Sequence, residues 1–189
     1  MNRDTALVII DVQQGMDAPF LPERNNPQAE RQMAALLAAW RAAGAPVIHV
    51  QHLSQEPGSP LRPGQPGVEI KPEMRPVAGE PLFQKVVNSA FIGTTLEDHL
   101  RQRQIRHLVI VGLTTDHCVS TTARMAANLG FEVTVVSDAT ATFGRSGPDG
   151  HYYGPDEIHR TELAILHGEF ATVRPTEVVL AGTDTAVVS

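Results

Sequence analysis

Short, continuous runs of apolar residues alternate along this chain with stretches in which apolar residues recur at helical spacing. The continuous runs are typical of strands buried on both faces of a sheet, and the wider spacing is typical of amphipathic helices. Strands are predicted at 6–10, 46–53, 82–87, 108–111, 132–136 and 170–173. Helices are predicted between Asn26 and Gly44, at 94–104, between Asp116 and Gly130, at 155–166, and from 176 before a frayed end. This alternation predicts an open, mostly parallel sheet with helices on both faces.

Two irregular segments interrupt this pattern. Residues 54–81 contain seven prolines and four glycines, and an irregular segment of that length in a compact domain is usually functional or disordered. We predict that it crosses the active site or forms a subunit contact. Residues 141–154 include Phe143, Arg145 and Tyr152. These residue types suit the binding of a polar organic ligand, and an ordinary surface loop is the alternative.

The composition narrows the classes of partner. A length of 189 residues with 42% hydrophobic content is enough for one domain, 1–189, with a sizeable core. The formal net charge of −6 argues against nucleic acid and an anionic membrane surface as partners. The single cysteine excludes an intrachain disulfide, and no apolar run suits a secretory or transmembrane segment. We therefore expect a globular enzyme or binding domain with a cytoplasmic location.

The only cysteine, Cys118, follows a predicted buried strand and falls in the first turn of the next helix. Gly112 ends that strand, and Asp116 is a residue type that starts helices. Amide N–H groups and the positive end of the helix dipole favour a thiolate at such a position, and the same amides can bind an oxyanion beside the sulfur. Cys118 is therefore predicted to be a nucleophile. The alternative is a small, buried hydrophobic residue of the core.

Three other polar residues lie in or at the end of predicted strands. Asp11 follows the first strand, and ligands of open α/β sheets bind at the carboxyl ends of the strands; its alternative role is to anchor the following loop. Lys85 interrupts the third apolar run, where a lysine is rarely buried without a partner, although it could reach solvent at a sheet edge. His52 ends the second strand and can reach the pocket, whereas His49 is expected to pack in the core.

With these residues identified, the chain resembles the isochorismatase-like cysteine hydrolase superfamily over nearly its whole length. That superfamily includes nicotinamidases, N-carbamoylsarcosine amidases and streptothricin hydrolases. Three separated elements carry the resemblance: Ile9-Ile10-Asp11-Val12-Gln13, then Lys85 followed by Ser89-Ala90-Phe91, then Val111-Gly112-Leu113-Thr114-Thr115-Asp116-His117-Cys118-Val119.

The resemblance implies a Rossmann-like, doubly wound, three-layer α/β/α fold with six strands and a catalytic triad of Asp11, Lys85 and Cys118 at the carboxyl edge of the sheet. It also implies a cis peptide bond between Leu113 and Thr114, with the backbone amides of Thr114 and Cys118 forming an oxyanion hole. In the implied reaction, Asp11 takes the thiol proton, Cys118 attacks a carbonyl carbon, and Asp11 protonates the leaving amine. Water that is activated by Asp11 then hydrolyses the thioester.

Two departures from the family pattern concern the substrate pocket. The zinc-using nicotinamidases carry an Asp-x-His pair at the end of the second strand, where this chain has His52 and Ser54. We therefore expect no metal and no other cofactor. The aromatic residue that is expected five positions after the aspartate is Met16 here, with Phe20 as its alternative. The predicted substrate-binding residues are Met16, Phe20, His52, Phe91, Thr115 and Tyr152.

The predicted function is cysteine-dependent hydrolysis of a small-molecule amide or related C–N bond. The presence of Cys118 favours it, because the isochorismatase branch hydrolyses a vinyl ether without requiring the cysteine. Vinyl-ether hydrolysis is one alternative, and a non-catalytic or redox-sensing protein, in which Cys118 oxidises readily, is another. The resemblance also implies a homodimer or homotetramer.

Overall fold

The computed structural model describes residues 4–182. The strands are Thr5–Ile10 (β1), Val47–His52 (β2), Leu82–Lys85 (β3), His107–Leu113 (β4), Glu132–Ala141 (β5), Arg145–Ser146 (β6), Tyr152–Tyr153 (β7) and Thr172–Arg174 (β8). The helices are Ala29–Ala42 (α1), Leu96–Gln102 (α2), Ser120–Asn128 (α3), Pro155–Leu166 (α4) and Thr176–Leu180 (α5). A π-helical turn, Thr115–Val119, directly precedes α3.

The main sheet has six strands in the order β3-β2-β1-β4-β5-β8, and every neighbouring pair is parallel. The other two strands, β6 and β7, form a small antiparallel hairpin. The predicted doubly wound α/β fold is therefore confirmed. Because the chain winds outward in one direction through β2 and β3 and in the other through β4, β5 and β8, the winding reverses between β1 and β4. In sheets of this kind, the crevice outside that reversal is where ligands bind.

Helices cover both faces of the sheet. On one face, Leu7 and Ile9 of β1 pack in a cluster with Met33, Leu36 and Trp40 of α1. On the other face, alternate residues of β1 pack against apolar side chains of α2, α3 and α4. Both faces of the central strands are thus buried, which explains why these strands have continuous rather than alternating apolar sequences. None of the helices within 4–182 is long and apolar enough to cross a bilayer.

Two polar residues near the ends of predicted elements, Asn26 and Asp138, make long-range hydrogen bonds. Helix α1 begins at Ala29 rather than at Pro27, because Asn26 does not cap it. Asn26 has a φ of 44° and donates from Nδ2 to the carbonyl oxygens of Ser137 (3.0 Å) and Thr140 (2.7 Å). Asp138 lies within β5, and its carboxylate accepts hydrogen bonds from the backbone and hydroxyl of Thr176, 2.8 Å each, at the start of α5.

The frayed end predicted after 176 lies in part outside the described residues.

Buried polar contacts connect the proline-rich segment 54–81 to the sheet and to α1. The carbonyl oxygen of Val68 accepts hydrogen bonds from Nε2 of Gln13 and of Gln51, both 2.8 Å long. Lys71 Nζ lies 2.7 Å from a carboxylate oxygen of Asp17 and 2.7 Å from one of Glu30. These contacts place the segment beside the carboxyl edge of the sheet.

Candidate active site

The three residues that were predicted to form a triad meet at the carboxyl edge of the sheet. Asp11 directly follows β1, Lys85 ends β3, and Cys118 lies in the π-helical turn after β4. The relative exposure of these residues is 0%, 1% and 8%, respectively. Because parallel strands end at the same edge, residues far apart in the chain become neighbours there.

The ammonium group of Lys85 lies at the centre of this cluster. Its Nζ is 2.7 Å from Asp11 Oδ2, 3.0 Å from His52 Nδ1 and 3.2 Å from Cys118 Sγ. A lysine ammonium has three N–H donors, so these three acceptors use all of them. Among the described residues, nothing donates a hydrogen bond to the other carboxylate oxygen, Asp11 Oδ1, which leaves that oxygen available to accept a proton.

Burial and charge raise the pKa values of both acidic groups in the cluster. Burial raises the pKa of Asp11, and the Lys85 ammonium opposes this increase. Burial, followed by the Asp11 carboxylate, raises the pKa of Cys118 to about 12, again against the influence of Lys85. The sequence predicted a thiolate, and the structure differs because the sulfur is buried beside a carboxylate rather than exposed at a helix start.

The raised pKa values of Asp11 and Cys118 follow from the balance of charges in the site. One buried ammonium neutralises one buried anion, and a second anion has no counter-charge. The sulfur can therefore lose its proton most easily when Asp11 gains one, since the negative charge then moves from carboxylate to thiolate beside the same ammonium. This arrangement suits a carboxylate that acts as a general base toward a thiol.

The cluster does not fit a metal ion. Donor atoms of Asp11, His52 and Cys118 lie within 4.8 Å of one another, close enough in principle to share a cation. The Lys85 ammonium, however, lies within 3.2 Å of all three of these side chains. A metal ion would have to displace that positive charge. The expectation that the chain uses no metal stays a prediction.

The π-helical turn Thr115–Val119, which carries the predicted nucleophile Cys118 and is called the nucleophile turn below, is positioned by a close approach of two strands. Gly112 of β4 pairs with Ile10 of β1 and has a φ of 126°, and a Cβ at this position would lie 2.1 Å from the carbonyl oxygen of Ile10. Only glycine fits such a contact. The next peptide bond, between Leu113 and Thr114, is cis, as the resemblance implies.

A cavity of about 240 Å³ opens beside Cys118. Of the residues predicted to bind substrate, Met16 and His52 line it. Phe20 is 69% exposed and Tyr152 is 52% exposed, and neither is among the residues that line the cavity. Tyr152 instead belongs to the β6–β7 hairpin. The sequence could not show that these two aromatic residues lie outside the cavity lining, because the composition of a loop does not specify where its side chains lie.

The two other predicted substrate-binding residues pack against neighbouring side chains. Phe91 is half-buried, stacks on Phe131 with ring centroids 5.9 Å apart and packs against the hydrophobic core. Thr115 is fully buried, and its hydroxyl oxygen lies 2.8 Å from His159 Nδ1. Neither residue lines the cavity.

Several residues that line the cavity were not predicted. Ser54, Ser59, Pro60 and Leu61 contribute from the proline-rich segment, so part of this segment lies beside the cavity, while the predicted subunit contact stays a prediction. Asn88 also lines the cavity, and its Oδ1 is 3.9 Å from Cys118 Sγ. Asn88 follows the third apolar run and so carried a usable signal, a polar residue just after a strand. Leu21 and His117 are the remaining unpredicted lining residues, whereas Phe143, which was predicted to suit ligand binding, does line the cavity.

The hairpin loop is anchored next to the nucleophile turn by Arg145. Its guanidinium lies 2.6 Å from Asp116 Oδ2 and 2.7 Å from His117 Nε2. Arg145 was predicted to suit ligand binding, and in the structure its charge is paired with Asp116 instead. The loop therefore contributes Phe143 to the cavity wall and uses Arg145 to fix its own position.

Comparisons with known proteins agree with this geometry. A sequence model described as the isochorismatase domain matches residues 5–178. The isochorismatase family protein YrdC of Bacillus subtilis is 46% identical over 177 residues, which cover 94% of this chain and 95% of YrdC. Streptothricin hydrolase of Streptomyces noursei is 33% identical over 138 residues, which cover 73% of this chain and 54% of that protein. A crystal structure of an isochorismatase-family protein from Chromobacterium violaceum is 46% identical, with a TM-score of 0.91 and coverage of 96% and 94% of the two chains.

Proposed function

The chain belongs to the isochorismatase family of hydrolases, and from this premise we propose that it hydrolyses a C–N bond of a small, uncharged amide through a thioester on Cys118. The observation that carries the proposal is the shared ammonium. Lys85 Nζ contacts both Asp11 and Cys118, 2.7 Å and 3.2 Å away, and these two residues line the cavity. A base and a nucleophile thus share one counter-charge, with the carboxylate and the sulfur within 4.8 Å of each other.

In the proposed reaction, Asp11 accepts the thiol proton as the sulfur attacks the substrate carbonyl carbon. The new C–S bond leaves a negative charge on the carbonyl oxygen, which the backbone N–H groups of Thr114 and Cys118 stabilise. Asp11 then donates its proton to the nitrogen, the C–N bond breaks, and the amine leaves. A water molecule that gives a proton to Asp11 then attacks the thioester carbonyl carbon, the C–S bond breaks and the acid is released, and Asp11 returns the proton to the sulfur.

The cavity favours an uncharged substrate over the doubly carboxylated vinyl ether isochorismate. Of the thirteen described residues that line it, none is a lysine or an arginine. Recognition of two carboxylates normally uses such cations, and the ammonium of Lys85 is already bonded to three acceptors. The volume of about 240 Å³ is below the roughly 300–1,000 Å³ of pockets for drug-sized ligands, which favours a compact molecule.

The proposed reaction needs no metal and no cofactor, because side chains supply the nucleophile, the base and the counter-charge. It does need a reduced sulfur, since an oxidised Cys118 could not attack a carbonyl. We therefore also propose a cytoplasmic setting, where thiols are kept reduced.

A panel of neutral primary amides, lactams and carbamoyl compounds tests the proposal. Release of ammonia or acid is measured for the wild type and for Cys118→Ala, and intact-protein mass spectrometry detects the acyl group on Cys118. At least one amide should be hydrolysed, and Cys118→Ala should lower kcat/KM by about 10⁴-fold or more. Activity that survives in Cys118→Ala would favour the ether hydrolase. No turnover of any amide, with ready oxidation of Cys118, would favour the redox-sensing alternative.

A further inference from the structure

The third acceptor of the Lys85 ammonium is a residue that the proposed reaction does not use. His52 Nδ1 lies 3.0 Å from Lys85 Nζ. The two other acceptors, Asp11 and Cys118, exchange a proton and a negative charge during the reaction proposed above. When the sulfur carries an acyl group, it becomes a poor acceptor for an ammonium N–H. His52 is the one member of the three whose charge and hydrogen bond need not change.

We propose that His52 is a positioning residue, a neutral imidazole that accepts one N–H of the Lys85 ammonium and so keeps this positive charge between Asp11 and Cys118. Its effect on catalysis rests on the function proposed above, whereas its effect on the sulfur does not.

The backbone of His52 is fixed by the segment that also carries the base. Gln13, two residues after Asp11, accepts a hydrogen bond at Oε1 from the His52 N–H (2.9 Å). Its Nε2 donates to the His52 carbonyl oxygen (3.0 Å) and to that of Val68 (2.8 Å). Gln13 is fully buried. Two hydrogen bonds of one buried side chain therefore fix the end of β2 next to the segment that follows β1, and the third ties the proline-rich segment to the same place.

The geometry also sets the protonation state of the ring. Nδ1 can accept from an ammonium only through its lone pair, so the ring proton is on Nε2 and the imidazole is neutral. Burial, followed by the charge of Lys85, lowers the pKa of His52, and the Asp11 carboxylate opposes this shift. The titratable groups that face the ring are Lys85 at the end of β3, Asp11 after β1 and Cys118 in the π-helical turn. Burial and the charge of Lys85 favour the neutral ring, against the influence of the Asp11 carboxylate.

Loss of the His52 acceptor should change the pKa of Cys118 through its effect on the charge of Lys85. Without His52 Nδ1, a buried N–H of Lys85 has no partner, which disfavours the charged ammonium. The ammonium is the group that lowers the pKa of Cys118. We therefore expect His52→Leu to raise the pKa of the thiol by about one unit, which corresponds to an approximately tenfold slower reaction of the sulfur at a fixed pH below that pKa.

Alkylation by iodoacetamide measures this effect without any substrate. Cys118 is the only cysteine in the chain, so a single mass increase reports its reaction. Rates are measured from about pH 7 to about pH 11 for the wild type, His52→Leu, His52→Asn and His49→Asn, with folding checked by circular dichroism. His52→Leu should shift the profile to higher pH, and His52→Asn, which retains a side-chain acceptor near the position of Nδ1, should restore most of the wild-type profile.

His49→Asn is the matched control. His49 lies on the same strand, is 1% exposed, and pairs with Glu80 (2.8 Å) away from Lys85. It should lower stability and leave the alkylation profile unchanged. A wild-type profile in His52→Leu, or an equal shift in His49→Asn, would overturn the proposal. Absence of hydrolysis in the amide panel would not overturn this proposal, because alkylation of Cys118 requires no hydrolysis.

A second measurement uses the unmodified chain and is decisive where His52→Leu does not fold. The ring nitrogens of ¹⁵N-labelled histidine report tautomer and charge in an NMR spectrum. At about pH 7, His52 should be neutral with its proton on Nε2 and a hydrogen-bonded lone pair on Nδ1. An imidazolium, or a ring protonated on Nδ1, would contradict the proposed role.

Discussion

At the scale of single residues, the site contains one ammonium and two groups that can carry a negative charge. Asp11 and Cys118 both have raised pKa values, because each is buried and Lys85 can fully neutralise only one anion. These surroundings favour the thiol form of Cys118. In the proposed reaction the sulfur becomes nucleophilic as its proton moves to Asp11, which ties activation to the carboxylate rather than to the helix start alone.

Because Asp11 and Cys118 compete for the positive charge of Lys85, we predict opposite effects of Asp11→Asn on hydrolysis and on alkylation. Hydrolysis should fall by about 10³-fold or more, because the general base is lost. The pKa of Cys118 should fall as well, because the carboxylate that raises it is removed while Lys85 remains. Iodoacetamide should therefore alkylate this variant at least about tenfold faster than the wild type at about pH 8.

Lys85→Met is the matched control for this prediction, since it removes the group that lowers the thiol pKa and should slow alkylation. Slower alkylation in Asp11→Asn than in the wild type would show that the carboxylate does not set the state of the sulfur.

At the scale of elements, the contact between β1 and β4 determines where the reacting groups lie. Six residue pairs from Thr5↔His107 to Ile10↔Gly112 hold the two strands in parallel register. At the last pair, the Gly112 backbone packs directly on the Ile10 carbonyl group. Asp11 follows one strand, and the turn of Cys118 follows the other. The absence of a side chain at one position therefore controls the separation of base and nucleophile.

Gly112→Ala should consequently be among the most destabilising substitutions in this chain. Its Cβ would lie 2.1 Å from Ile10 O in a backbone with φ of 126°, so we expect a loss of more than about 4 kcal/mol or no folded protein. Gly130→Ala is the control, because Gly130 also has a positive φ, 86°, but open space around it; its cost should be on the order of 1 kcal/mol. Urea unfolding compares the two variants, and similar midpoints would contradict this account of the strand contact.

At the scale of the whole molecule, buried ionisable groups tie stability to pH. Burial is the first cause that lowers the pKa of His49, His52 and His159 in the folded chain. Contacts with cations lower the pKa of Glu30 and of Glu80 to about 2, against the effect of their burial. In all five cases the unfolded chain binds protons more readily than the folded chain does, so the folded state loses stability as the pH falls.

Acid unfolding should therefore proceed over two ranges of pH. The contribution of the histidines is complete above about pH 6.5 and decreases below it. The contribution of the glutamates is complete above about pH 4.5 and is lost toward their folded pKa of about 2. For Glu30, whose side chain is 15% exposed, this loss is at most about 3 kcal/mol.

Urea unfolding at about pH 7.5, 5.5 and 4 measures the effect. His49→Gln should weaken the pH dependence of the free energy of unfolding between about pH 7.5 and 5.5. Glu30→Gln should weaken it between about pH 5.5 and 4. A free energy of unfolding that is constant from about pH 7.5 to about pH 5 would show that the buried histidines do not contribute in this way.

The sequence by itself determined the alternation of strands and helices and the location of Asp11, Lys85 and Cys118. The spacing of apolar residues and the ends of strands depend on residues that are neighbours in the chain, so both can be predicted from the sequence alone. The helix Pro155–Leu166 has the predicted bounds, because its stripe of apolar residues and its first-turn proline are local signals.

Only the tertiary structure decided the electrostatic state and the shape of the site. Asp11 and Lys85 are 74 positions apart in the chain, yet 2.7 Å separates their charged atoms. The pKa of Cys118, the bond of His52 to Lys85 and the cavity wall formed by Ser59 and Leu61 likewise depend on distances between remote segments. Electrostatic and packing energies vary with separation in space, and separation along the chain does not specify it.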